Sequence, residues 1–343
     1  MSVAPISAAD AKRPLFVGVD VGGTGIKFGI VDDAGRTLGK FRIDTHEDRG
    51  PADAVDRMRQ AIDGQVADLG VPAGDVVAIG LGTPGTMDIP RGMIVTPPNL
   101  PHWRHFPIRD ALSRACGRPV SFANDANAAA YGEFWVGSGR GSRSMIMLTL
   151  GTGVGGGIIV DGMSIDGINS FGSECGHIII DSRDDARLCV WGGGRGELEA
   201  YASASAVTQR TRELLDAGRT SSLRERCRHE DVSPLMVAEE ANRNDALALE
   251  VIDETARYLG IGIVTLVHTI DPGMVVLGGA MDFGGHSAAA GRRFLESVRR
   301  EFRRRAFDVV VDTTRIDFAS LGGDAGYIGA AGIAQAAWHK SNG

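Results

Sequence analysis

Short apolar runs alternate with Gly-rich breaks and amphipathic stretches along this chain, a spacing that predicts a mixed α/β protein. Leu15–Asp20 reads as a buried strand, Val21–Gly25 as a turn and Ile26–Asp32 as a second strand. Asp33–Gly35 is a hairpin turn into a third strand over Thr37–Ile43. Ala54, Met58, Ile62, Val66 and Leu69 recur about once per helical turn, so Pro51–Leu69 is an amphipathic helix. Val76–Leu81 is the next strand, Gly82–Gly85 a turn, Met87–Val95 a short hairpin, and Pro97–Trp103 a Pro-rich loop. A helix over Ile108–Ala115 leads to the strand Pro119–Phe122. That strand ends at Asn124-Asp125, before an Ala-rich helix over Ala126–Trp135. Three strands, helix, strand, helix, strand describes a hairpin-led sheet with crossover helices.

The pattern then restarts. Met145–Leu150 reads as a strand, runs into Gly151-Thr-Gly-Val-Gly-Gly-Gly157 and leaves as Ile158–Val160. This repetition predicts a duplicated architecture with a ligand between two similar halves. Beyond Asp161 the chain is loop-like as far as Ser173-Glu-Cys-Gly-His177 and a strand over Ile178–Ile180. A glycine loop over Cys189–Glu199 runs into a helix starting near Ala200. Helices follow over Val207–Ala217, Ser233–Ala241 and Ala246–Ile270. The last is apolar at Leu249, Ile252, Ala256, Leu259, Ile263 and Leu266 and reads as a core helix. Met274–Leu277 is a buried strand ending in Gly278-Gly279. The helix Arg292–Arg305 carries seven arginines and reads as a solvated face. Arg315–Ala319 is a last strand and Tyr327–His339 a helix of small residues.

At 343 residues the chain is long for one core, so two domains are expected. Hydrophobic content of 43% and charged content of 23% fit a soluble globular protein. Its 48 glycines are roughly twice average usage and lie mostly at the ends of apolar runs, where tight turns and phosphate loops need them. A net charge of −7 argues against a nucleic-acid partner. Cys116, Cys175, Cys189 and Cys227 are spread without a CxxC pair, which points to a reduced, cytoplasmic setting. Met1–Arg13 reads as a loose tail, and neither an export signal nor a membrane span is visible.

Asp125 at the carboxyl end of a strand, beside a Gly-rich turn on a neighbouring strand, suits phosphoryl transfer. A carboxylate orients a hydroxyl and takes its proton while bare backbone N–H groups hold a phosphate. In isolation Asp125 is equally well an N-cap for the following helix. The first loop, Asp20-x-Gly-Gly-Thr24, joins two strands, whereas a Rossmann or P-loop turn opens a helix. By itself it is also an ordinary tight turn. Asn99 and Trp103 are pocket candidates on a loop that has structural reasons of its own to be ordered.

Taken in order, Asp20-x-Gly-Gly-Thr, Leu81-Gly-Thr-Pro-Gly, Asn124-Asp-Ala-Asn-Ala, Leu150-Gly-Thr-Gly-Val-Gly-Gly-Gly, Glu174-Cys-Gly-His and Leu277-Gly-Gly resemble the ROK family (repressors, open reading frames, kinases). The resemblance spans about Phe16–Ala334. It implies a two-domain actin-like ATPase fold of the ribonuclease H-like, hexokinase type, closing on a sugar and ATP in an interdomain cleft. The expected partition is a tail over 1–13, a smaller α/β domain over 14–123 plus 326–343, and a larger one over 124–325. The implied activity is an ATP-dependent hexose kinase, glucokinase first, with N-acetylmannosamine or N-acetylglucosamine as alternative acceptors and polyphosphate as a minor alternative donor. A sugar-binding repressor of the same family would carry a DNA-binding module ahead of Asp20, where only a short tail stands here. A sugar-binding protein without turnover is disfavoured by Asp125 and the two loops. A homodimer is the family expectation.

The same resemblance implies the roles of single residues. Asp125 is the general base. Asn99, Asn124, Glu174, His177 and Glu199 join it on the sugar side, where carboxylates and amides suit a polyol. Gly22, Gly23, Thr24, Thr152 and Gly153 belong to the phosphate loops. Lys27 is placed either at a phosphate or in solvent, and Gly278 and Gly279 pass the adenosine. Asp20 sits near Mg²⁺ through water. The family's structural zinc takes a histidine and three cysteines. Here His177 and Cys189 remain, Trp191 replaces the second cysteine, Glu197 replaces the third, and the loop is one residue longer. Structural zinc is therefore not expected unless Glu197 or Cys175 joins.

Overall fold

The computed structural model describes residues 4–189 and 193–343. Strands β1 (Leu15–Val21), β2 (Gly25–Asp32) and β3 (Thr37–Asp44) form an antiparallel meander. After helix α1 (Gly50–Asp68), strand β4 (Val76–Thr83) pairs parallel to β1. A hairpin of β5 (Thr86–Asp88) and β6 (Met93–Thr96) and helix α2 (Ile108–Cys116) precede β7 (Val120–Asn124), which pairs parallel to β4. The sheet order is β3-β2-β1-β4-β7. The amphipathic face predicted for α1 is the one it buries, with Ala54, Met58, Ile62 and Val66 turned inward.

Helix α3 (Asp125–Trp135) leads to a second meander of β8 (Met145–Leu150), β9 (Val154–Val160) and β10 (Met163–Ser164). A helical insertion follows: α4 (Glu199–Ala202), α5 (Ala204–Asp216), α6 (Leu223–Arg226), α7 (Pro234–Asn242) and α8 (Ala246–Ile270). Strand β11 (Met274–Gly278) pairs parallel to β8. Helices α9 (Ala289–Arg305) and α10 (Asp308–Thr313) then precede β12 (Arg315–Phe318), parallel to β11. The order β10-β9-β8-β11-β12 repeats that of the first sheet, a meander extended by two parallel strands. The duplication legible in the sequence is thus a repeat of topology. Helix α8 lies in the core of the second half, through Leu259 and Ile263 among others.

The last helix, α11 (Ala325–Asn342), returns to the first sheet. A Cβ built on Gly18 would lie 1.7 Å from the Tyr327 carbonyl oxygen, and one on Gly80 1.7 Å from that of Ala330. On its other side α11 meets α3, where a Cβ on Gly329 would lie 1.6 Å from the Ala128 carbonyl. Only hydrogen at these positions allows helix and sheet backbones to touch.

Three expectations change. Ile178–Ile180 forms no strand: the facing segment doubles back on 187–189, so pairing is limited to a bridge between Ile179 and Glu197 and bonds through Gly196 and Leu198. The glycine turn is shorter than read, because β9 already begins at Val154 and Gly157 packs under Ala130 of α3. Trp103 is a fully buried core residue and not part of a pocket wall. On α9, Arg293 pairs with Asp253, Arg303 with Glu296 and Arg305 with Glu301, as a solvated ionic face would.

The α3–α11 contact yields a stability prediction. Gly329→Ala forces the two helices apart and should lower the unfolding free energy by about 1–3 kcal/mol, read by denaturant titration. An unchanged midpoint would show that the seam yields freely.

Candidate functional site

A cavity of about 860 Å³ opens where β7, β8 and β11 end. Asn124 and Asp125 reach it from the β7–α3 junction, Gly153 from the turn after β8, and Gly279 from the end of β11. Glu174, His177 and Glu199 line it as well. The helix cap is Asn124, whose side chain accepts the Ala126 N–H at 2.9 Å. Asp125 is the first helical residue, its Oδ1 also 2.9 Å from that N–H. The capping role weighed for Asp125 therefore falls to its neighbour, which leaves Asp125 facing the cavity.

Carboxylates crowd this site. Burial pushes the Asp125 carboxyl up to about 7, the nearby Asp20 charge adds to the rise, and the Ala126 N–H opposes it. Asp20 is likewise raised by burial, against the pull of Lys27. Glu174 is raised by burial, with His177 lowering and Glu199 raising it. Glu199 is buried, and its Oε2 accepts the Val154 N–H at 2.8 Å, which ties it to the start of β9. His177 loses charge stabilisation through burial, but its hydrogen bond to Glu197 and the charges of Glu197, Glu199 and Glu174 outweigh this and raise its pKa.

Of the other candidates, Asp20, Gly22, Gly23, Thr24, Lys27, Asn99, Thr152 and Gly278 are not among the residues that line the cavity. Asp20 is the last residue but one of β1, and its carboxylate accepts no hydrogen bond among the described residues. In the first loop, the Gly22 carbonyl accepts the Thr45 hydroxyl at 2.7 Å and the Thr24 carbonyl the Thr45 N–H at 3.2 Å. A Cβ on Gly23 would touch that of Asn99 at 3.2 Å, so the loop and Asn99 are neighbours. Lys27 donates to the Gly323 carbonyl at 3.0 Å. Thr152 turns towards α5, its carbonyl accepting the Ser205 hydroxyl at 2.8 Å. Gly278 closes β11 against Met147, and Gly279, at φ 92°, lies so close to Leu150 that any Cβ would meet its carbonyl oxygen at 2.2 Å.

Thr86, Thr96, Asn127 and Phe171 also line the cavity and were not singled out in the sequence. Asn127 stands in the quoted Asn-Asp-Ala-Asn-Ala motif, and its buried Oδ1 has no hydrogen-bond partner among the described residues. The two threonines and Phe171 carry no local signal and join the wall through folding alone.

His177, Cys189 and Glu197 place potential metal donors within 4.8 Å of one another. The expectation of no structural zinc rests on their number. A tetrahedral site takes four donors, and the described residues supply three. His177 Nδ1 and Glu197 Oε2 lie 2.8 Å apart, a hydrogen-bond distance, and Cys189 Sγ donates to Glu199 Oε1 at 3.1 Å. Cys175 packs against Gly156 instead, and Trp191 lies outside the described residues.

Two sheets of duplicated topology, with a buried aspartate at a helix start and glycine turns at the strand ends, define an actin-like sugar kinase site. The ROK family model matches residues 16–337, and the chain belongs to that family. A glucokinase of Halalkalibacterium halodurans is 36% identical over 315 residues, covering 92% of this chain and 93% of the relative. The crystal structure of a ROK hexokinase from Thermus thermophilus superposes with a TM-score of 0.79 at 33% identity, covering 96% of this chain and all of the other. A ROK family glucokinase from Streptomyces griseus, solved with glucose and AMPPNP, gives a TM-score of 0.71 at 32% identity over 94% of this chain and 99% of the other.

The raised Asp125 predicts a pH profile. Below the shifted pKa the carboxyl is protonated and cannot accept a proton, so kcat/KM should rise with pH to a plateau, with a midpoint about 7. A profile flat from about pH 5.5 to 8.5 would contradict this assignment.

Proposed function

We propose that this chain is an ATP-dependent glucokinase that transfers the γ-phosphoryl group of ATP to the 6-hydroxyl of glucose. The observation that carries the reading is the buried Asp125 in one cavity with Glu174, Glu199 and the glycine turns. The hydroxyl oxygen attacks the γ-phosphorus and the bond to the β–γ bridging oxygen breaks. The hydroxyl proton passes to Asp125, and ADP leaves with the displaced electron pair. Asn99, Asn124, Glu174, His177 and Glu199 hold the sugar hydroxyls. Backbone N–H groups of Gly22, Gly23 and Gly153, with Thr24 and Thr152, hold phosphates, and Gly278 and Gly279 pass the adenosine. Asp20 fits a magnesium site, since a buried carboxylate without a donor calls for a cation or its water shell. The ion would neutralise phosphate charge there. The enzyme is read as a cytoplasmic homodimer whose domains, 14–123 plus 326–343 and 124–325, enclose the cavity. Resemblance to glucokinases favours glucose over N-acetyl sugars, and the acidic charge balance disfavours a DNA partner.

ADP release should be fastest with glucose when Mg-ATP is offered with glucose, mannose, fructose, N-acetylglucosamine and N-acetylmannosamine in turn. Preference for an N-acetyl sugar would keep the mechanism and move the substrate. Asp125→Ala should lower kcat by at least about 10²-fold while sugar binding persists, and substantial residual turnover would remove Asp125 from its role. Glu174→Gln should raise the KM for sugar and not that for ATP.

A further inference from the structure

We infer that a clasp made only of protein groups, centred on Glu197, does in this chain the positioning work that the family assigns to structural zinc. The inference rests on reading His177 and Glu199 as sugar contacts. Glu197 is buried, and its two oxygens serve different partners: Oε2 lies 2.8 Å from His177 Nδ1, and Oε1 accepts the Gly194 N–H at 2.7 Å. A carboxylate facing Nδ1 makes that nitrogen the donor, which leaves Nε2 to meet a sugar hydroxyl. One acidic side chain thereby sets both the tautomer and the ring orientation of His177.

Cys189 completes the clasp. Its thiol donates to Glu199 Oε1 at 3.1 Å while Val154 N–H occupies Glu199 Oε2 at 2.8 Å. Glu199 is thus held from both sides, by the glycine loop and by the first residue of β9. A thiolate bound to zinc would have no proton to give, so the donated contact requires the protonated thiol. Main-chain bonds supply the remaining hold: Ile180 N–H to Gly196 O at 2.8 Å, Leu198 N–H to Ile178 O at 2.9 Å and Cys189 N–H to Gly194 O at 3.1 Å. Glu197 and Cys189 are positioning residues that act through His177 and Glu199.

The test combines metal analysis with sugar and nucleotide affinities. The purified wild-type enzyme should contain no more than trace zinc by mass spectrometry. Its glucose affinity by calorimetry should survive treatment with 1,10-phenanthroline. Stoichiometric zinc, or loss of affinity after chelation, would overturn the clasp whether or not any variant folds. Glu197→Gln should raise the KM for glucose about tenfold with the KM for ATP unchanged, a split that general destabilisation would not produce. Cys189→Ala should weaken glucose binding severalfold, and Cys189→Ser, which keeps a donor, should recover most of that loss. Glucose affinities equal to wild type in Glu197→Gln and Cys189→Ala would refute the positioning roles. A wild-type enzyme that binds no sugar would instead refute the site reading on which the clasp rests.

Discussion

Main-chain contact between α3 and α11 determines where the chemical groups of this enzyme can be. Each helix begins at a carboxylate of the site: α3 starts with Asp125, and a Cβ on Gly326, in the first turn of α11, would lie 2.5 Å from Asp20 Oδ2. The small residues Ala128, Gly132, Ala325 and Gly329 let the two backbones meet, so both carboxylates come to the same end of the seam. Larger residues would part the helices and the two charges with them. A buried side chain secures the arrangement. Glu133 accepts N–H groups from Ser138, Ser320 and Leu321, which joins the connection leaving α3 to the one entering α11.

Close packing of these acids is unfavourable by itself. Burial raises Asp20, Asp125 and Glu174 because each loses water that would stabilise its charge, and the two aspartates also repel one another. Under the proposed function, sugar hydroxyls and a cation would supply the donors and the charge that the protein withholds. A carboxyl group poised at about 7 is also a better proton acceptor for an alcohol than an exposed aspartate. The glycine turns contribute a different economy, presenting main-chain N–H groups to phosphate without side chains in the way.

The cavity wall that carries His177 and Glu199 shows how a local departure is accommodated. Where the family pattern has a third cysteine this chain carries Glu197. That carboxylate hydrogen-bonds His177, and the Cys189 thiol lies against Glu199.

Sequence alone determined the element order, the duplicated pattern and the family, and it supplied the candidates for the site. Periodicity and glycine punctuation are local properties, and motifs such as Asn124-Asp125 or Glu174-Cys-Gly-His177 occupy consecutive positions. Tertiary structure decided what depends on neighbours distant in the chain. The reading of Ile178–Ile180 as a strand failed because strand formation requires a partner long enough to pair with. Trp103 looks alike in sequence whether it faces a ligand or the core, and burial alone places it in the core. Thr86, Thr96 and Phe171 line the cavity only because separate loops converge there. The pairing of His177 with Glu197 likewise joins groups 20 residues apart, which no spacing rule encodes.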